Sequence, residues 1–157
     1  MMLKKLLMLI AVIIIFVAGF FTGIYSLPIL TEAPAPSSST LKQHKNRALF
    51  SGEFKPNLAG SDRFHYGNGT VYLTNDAISM QGELSPGPDY QLYLSRNFID
   101  NEADFLAQKG TMQRVAGVRS FNGFKLVVPQ GIDVSDYNTV IIWCESFEEF
   151  ITAAQYQ

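Results

Sequence analysis

A chain of 157 residues with twelve Lys or Arg, fourteen Asp or Glu and a net charge of −2 has room for one folded domain. The charge balance excludes a basic nucleic-acid binder, whose affinity would rest on phosphate neutralisation. A single cysteine excludes an internal disulfide, and two histidines without CxxC or HExxH spacing leave no zinc-type ligand set.

The chain begins MMLKK, and from Leu6 to Tyr25 it then carries no charge and nothing more polar than Thr22. A secretory signal has an apolar region of about 7–15 residues and a small-residue cleavage site. This run instead has the roughly 20 residues needed to cross a hydrocarbon core. GIYSLPIL follows without an Ala-x-Ala site, which favours an uncleaved signal anchor over residues 1–30. Lys4 and Lys5 precede the span, so the positive-inside rule keeps the N-terminus cytoplasmic and exports the rest to the periplasm or cell exterior.

Residues 31–46, TEAPAPSSSTLKQHKN, are rich in Pro, Ala and Ser without periodicity and read as a semi-extended linker. His44 in that stretch is expected in solvent. The folded unit is expected over residues 47–157, where eight Lys or Arg face thirteen Asp or Glu, a charge of −5. No basic stripe interrupts it, so no nucleic-acid partner is expected.

This unit reads as all-β. Ala48–Phe54 begins a strand, and Val71 and Leu73 alternate with Thr70, Tyr72 and Thr74 in a second. Asn68-Gly69 and Asn75-Asp76 are turn signals. Ala77–Leu84 alternates on a period of two, Ser85–Asp89 is dense in turn formers, and Tyr90–Ser95 is a strand. Arg96–Ala107 is acidic and fits either a long loop or a short helix. Arg114–Ser120 and Gly123–Pro129 flank Phe121-Asn122 as an expected hairpin. Val140–Cys144 is apolar on both faces, as expected of a strand covered on both sides, and the tail from Glu148 fits a closing strand or a short helix. Such spacing predicts an antiparallel β-sandwich or barrel behind one transmembrane helix.

Cys144 is the first candidate for chemistry. On its strand it shares a face with Val140 and Ile142, while Ile141, Trp143 and Glu145 take the other. A buried free cysteine is also ordinary core material. Glu145, Glu148 and Glu149 follow closely and no basic residue is near in sequence, which argues against a low-pKa thiol nucleophile. A thiolate held by a metal or haem iron is not excluded by that argument. His65, in RFHYGNGT, is either an axial ligand or proton carrier, or a histidine that orders the turn. Met80 and Met112 fit core filling better than thioether ligation. Asp100, Glu102 and Asp104 lack the glycine and terminal glutamate of a calcium loop and read as a solvated acidic segment.

Several pieces stand in an order that resembles the DM thirteen domain family, the electron-transfer DM thirteen domain. They are His65 with Gly69-Thr70-Val71, then Gly87-Pro88-Asp89 leading into Tyr90–Ser95, then Gly123–Pro129. Tyr137 through Glu145 follows, and Phe147, Phe150 and Ala153-Ala154 close the pattern. The resemblance covers Phe50 to Tyr156, and the anchor ending in GIYSLPIL is similar to that of membrane-anchored bacterial members. It implies a β-rich extracytoplasmic domain, of a kind found beside DOMON domains. It also implies a redox role centred on Cys144, as a thiol or as a ligand to a prosthetic group such as haem.

Two functions are therefore expected in competition. One is a membrane-anchored redox or electron-transfer module, with Cys144 as thiol or cofactor ligand, His65 as partner, Trp143 packing the site, and Asp89 and Glu145 supporting it. An envelope redox partner would exchange electrons with it. The other is a non-enzymatic envelope binding or adhesion module with Cys144 as core packing. Either suits a module better than a turnover enzyme.

Overall fold

The computed structural model describes residues 2–157. Helix α1 (Met2–Leu30, 29 residues) is long and apolar enough to cross a membrane, and its most apolar stretch is not buried against the rest of the chain. Thr22 returns its hydroxyl to the Ala18 carbonyl at 2.8 Å, so the most polar side chain of the uncharged run is satisfied within the helix.

Helix α2 (Ser38–Arg47) follows. The Ser37 side chain caps it by accepting from the Thr40 amide at 3.2 Å, and His44, Lys45 and Arg47 lie at its negative end. The expected semi-extended run thus includes a docked helix. Leu41 and His44, three residues apart, share its inward face. His44, expected in solvent, is 3% exposed: Nδ1 pairs with Ser79 Oγ at 2.7 Å and Nε2 with Thr74 Oγ1 at 3.0 Å. Polar composition concealed this, because one leucine and one partnered imidazole are enough to seat three turns of helix.

The strands are β1 (Phe50–Phe54), β2 (Gly67–Leu73), β3 (Ala77–Leu84), β4 (Tyr90–Ser95), β5 (Gln113–Val118), β6 (Phe124–Val127), β7 (Thr139–Cys144) and β8 (Glu149–Gln155). Helix α3 (Glu102–Gln108) lies between β4 and β5. All pairings are antiparallel, in two four-stranded sheets ordered β1-β2-β3-β6 and β5-β4-β7-β8. The result is the expected sandwich.

Two local expectations are corrected. The segments around Phe121-Asn122 do not form a hairpin: β5 pairs with β4 and β6 with β3, so the chain changes sheets there. Asn68-Gly69 is not a turn but lies inside β2, where Gly69 faces Gly82 across the ladder. Both glycines have φ of +147°, and a Cβ on either would fall against the opposing backbone, so this pair serves close strand approach. The acidic segment resolves into the start of α3. The Asn101 side chain accepts from the Asp104 amide at 3.0 Å, and Glu102 and Asp104 sit at the positive end of the helix.

The main core lies between the sheets and takes Leu92, Leu94, Val140, Ile142 and Cys144 from β4 and β7, against Val71, Leu73, Ile78 and Met80 from β2 and β3. A second cluster joins the other faces of β4, β7 and β8, through Tyr93, Ile141, Trp143, Phe150 and Ala153, to Phe105 of α3 and Ile99. Every residue of β4 and β7 is buried. Each large apolar side chain so covered contributes on the order of 1.5–3 kcal/mol.

Burial, with Lys125 adding to it, lowers the His44 pKa below 6.5, while Asp76 opposes the shift. The docked imidazole therefore resists a proton that the undocked chain accepts. Its stabilising effect is complete above the ordinary histidine value and is lost as pH falls below it. On acidification from about pH 7.5 to about pH 5, the hydrogen-exchange protection factors of the α2 amides, corrected for the intrinsic pH dependence of exchange, are expected to fall before those of β7 do. His44→Ala should abolish that selectivity and cost roughly 1–3 kcal/mol in denaturant unfolding, since Ser79 loses its partner.

Candidate functional site

Cys144 is the last residue of β7, opposite Tyr90 of β4 and Glu149 of β8. Its side chain belongs to the inter-sheet core with Val140 and Ile142, the face that strand alternation predicted. The thiol donates to the Pro88 carbonyl at 3.0 Å, and the residue is 2% exposed.

Asp89 holds the cover over this strand end. It adopts φ of +53°, a left-handed conformation that Asp tolerates better than most residues. Its carbonyl accepts from the Glu145 amide at 3.2 Å. Its carboxylate accepts from Gln91 Nε2 at 2.9 Å and from Ser146 Oγ at 3.0 Å, tying the β3–β4 loop to the β7–β8 turn. Gly87 in the same loop lies so close to the Tyr90 ring that a Cβ there would overlap it.

Burial pushes the Cys144 thiol above its ordinary value, and the Asp89 and Glu149 carboxylates add to the shift. Hydrogen bonds from the Phe147 and Ser146 amides offset only part of it. At neutral pH the group is a thiol and a weak nucleophile.

His65 stands on the loop before β2. Asp62 Oδ1 accepts from the amides of Phe64 at 2.6 Å and His65 at 2.7 Å, forming a tight loop turn. Asp62 Oδ2 pairs with His65 Nδ1 at 3.1 Å, and Glu149 Oε1 lies 3.7 Å from the same nitrogen. A carboxylate on Nδ1 selects the tautomer with its proton there and leaves Nε2 as the acceptor. Among the described residues Nε2 has no hydrogen-bond partner.

Cys144 and His65 line one cleft of about 500 Å³, a size suited to a small molecule. Tyr90, Pro86, Gly87 and Pro88 contribute the domain's wall, and Phe64, Phe147 and Glu149 stand beside His65. Phe21, Ile24 and Tyr25 of α1 complete it. Among the described residues no Lys or Arg lines the cleft.

Trp143 and Glu145 do not join it. Trp143 faces the opposite side of β7, with the Phe105 ring stacked on it at 4.0 Å between centroids. Trp143, expected to pack the site, does not line the cleft but fills the cluster on the other face of β7, the face that strand alternation gave it. Glu145 likewise turns to that side, where Lys109 Nζ pairs with Oε2 at 2.5 Å and the Tyr93 hydroxyl donates to Oε1. Burial opposes ionisation of Glu145, but hydrogen bonds from Lys109 and Tyr93 hold its pKa below the usual range. Lys109 Nζ also lies over the rings of Tyr93, Phe105 and Trp143, at 5.6–6.0 Å from their centroids. Of the three carboxylates after Cys144, only Glu149 reaches the cleft.

Sequence reasoning did not find Tyr90, Glu149, Asp62 or the α1 residues. The Asp-x-x-His spacing of Asp62 and His65 carried a legible turn signal. The others required strand register and helix placement, which no local pattern carries.

Residues 53–156 match the family model described as Electron transfer DM13. No curated protein and no solved structure matches the chain.

Asp89→Ala removes the two side-chain hydrogen bonds that close the cover, a loss of about 1–2 kcal/mol. Labelling of Cys144 by an aromatic disulfide on the native protein is expected to speed up by roughly tenfold. An unchanged rate would mean that the cover is held by other contacts.

Proposed function

The chain belongs to the electron-transfer DM13 family, and on that premise we propose a membrane-anchored, extracytoplasmic redox module whose reactive centre is Cys144. The observation that carries the reading is that the sole cysteine and His65 line one mostly apolar cleft, walled in part by the helix that would anchor the chain. Residues 1–30 act as the anchor and residues 47–157 as the redox domain, with the docked segment between them as a short connection. Lys4 and Lys5 before the span orient the domain away from the cytoplasm.

The cleft fits a flat, apolar prosthetic group in its chemistry: aromatic and proline walls, one thiol and one imidazole with an open nitrogen. Cys144 Sγ and His65 Nε2 would hold a haem there, and the haem when bound would supply one-electron chemistry. Its carboxylates would have to reach solvent, since no cation among the described residues lines the walls. Asp62 orients the imidazole, and the Pro88 carbonyl directs the thiol. Without a cofactor, Cys144, having no second cysteine in the chain, is limited to exchange with a partner's disulfide, in which the mixed S–S bond forms as the partner's own breaks and its other sulfur leaves as a thiol.

A second reading, a binding module with Cys144 as packing, is favoured by the membership of Cys144 in the inter-sheet core. The two separate on the purified full-length protein. The redox reading expects a visible haem spectrum, or a native thiol titration that Cys144→Ser abolishes. For an uncomplexed thiol, labelling should keep climbing as pH passes the ordinary value of 9.0, because the raised pKa delays the thiolate. A colourless protein whose thiol reacts only after unfolding, with Cys144→Ala losing about 1 kcal/mol and no function, establishes the packing reading.

A further inference from the structure

We infer that the Cys144–His65 cleft opens at the outer membrane–water boundary and takes a neutral, lipid-soluble hydroquinone that arrives through the bilayer. The inference rests on the reading of α1 as a membrane anchor and names an occupant of the same cleft in place of haem, since both would use His65 Nε2.

Depth follows from helix geometry. A hydrocarbon core of about 30 Å is covered by roughly 20 residues at 1.5 Å each. Counted from Leu6, the first residue past the Lys4-Lys5 pair, that length ends at Tyr25. Phe21, Ile24 and Tyr25, the helix's share of the cleft, therefore lie at the outer edge of the hydrocarbon, where aromatic side chains are favoured.

The domain is also held down at that level. Pro28 is buried, the Glu32 carboxylate accepts from the Phe121 amide at 2.7 Å, and the Ala33 amide donates to the Arg119 carbonyl at 2.8 Å. These contacts fasten the end of α1 to the crossing between the sheets. They leave the cleft no long tether on which to move away from the bilayer. Phe64 and Phe147 at its rim are 56% and 55% exposed, and Tyr25 is 52% exposed. Such a grouping is costly in water and is covered when the rim meets lipid.

The lining selects among lipid-borne molecules. A phospholipid headgroup would place a phosphate beside Glu149, with no Lys or Arg in the walls to pair with it. A plain acyl chain would leave the imidazole without a partner. A hydroquinone ring fills an aromatic and proline slot, and its hydroxyl donates to His65 Nε2, while Asp62 fixes the tautomer that accepts it. Its isoprenoid tail remains in the bilayer beside α1.

The test uses the full chain in phosphatidylcholine nanodiscs, titrated under anaerobic conditions with a decyl-tailed benzohydroquinone, the form whose hydroxyl donates to Nε2. Trp143, the only tryptophan and the neighbour of Cys144, reports by emission quenching. The expected result is saturable quenching that dodecanol does not displace. Phe147→Asp and His65→Ala should each weaken it by about tenfold, and His65→Gln, which keeps an acceptor, should weaken it less. Linear quenching unchanged by these variants, or displacement by dodecanol at equal concentration, overturns the inference. If the haem spectrum or the Cys144-dependent thiol titration is nonetheless positive, the redox reading survives that failure. A chain that does not enter the nanodisc overturns the anchor and the ligand inference together.

Discussion

β7 must serve two apolar cores at once, and much of the molecule is arranged around that requirement. Val140, Ile142 and Cys144 fill the space between the sheets, while Ile141 and Trp143 fill the space under α3. A strand buried on both faces has no solvent side on which to place a polar group, so the polar chemistry is displaced to its end. There Cys144 and Glu145 lie back to back. One enters the cleft, and the other enters the Lys109–Tyr93 cluster.

This division gives neighbouring residues opposite electrostatic environments. On the cleft side, burial and two carboxylates keep the thiol protonated. On the other side, a lysine and a tyrosine hydroxyl keep Glu145 ionised despite its burial. The lysine ammonium also lies over three aromatic rings, so its charge is held by carboxylate and ring faces together. The sheet between them separates an apolar, acid-flanked thiol from an ion pair only one residue away.

Of the two N-terminal helices, α2 extends the sandwich, while α1 meets it only near its C-terminal end. α2 seats Leu41 and His44 beside β3, and the connection after α1 runs along the crossing segment through Glu32 and Ala33. The cleft is a consequence of that seating, since three of its residues belong to α1.

By itself the sequence determined whatever depends on local periodicity and composition. The long apolar run, the alternation in Ala77–Leu84, the doubly apolar Val140–Cys144 and the assignment of Cys144 and Trp143 to opposite faces were all legible, because composition and a two-residue strand repeat are local. The pairing of strands was not. Arg114–Ser120 and Gly123–Pro129 look like a hairpin, yet each strand joins a different sheet, because pairing is decided by which edge remains open in space. Asn68-Gly69 looks like a turn, yet serves the close approach of Gly69 to Gly82. His44 looks solvated until Thr74 and Ser79 are brought beside it. For TVIIWCE the local pattern decided which way each side chain points, and only tertiary packing decided what it meets: a cleft shared with His65 and α1 on one side, and an aromatic cluster closed by Lys109 on the other.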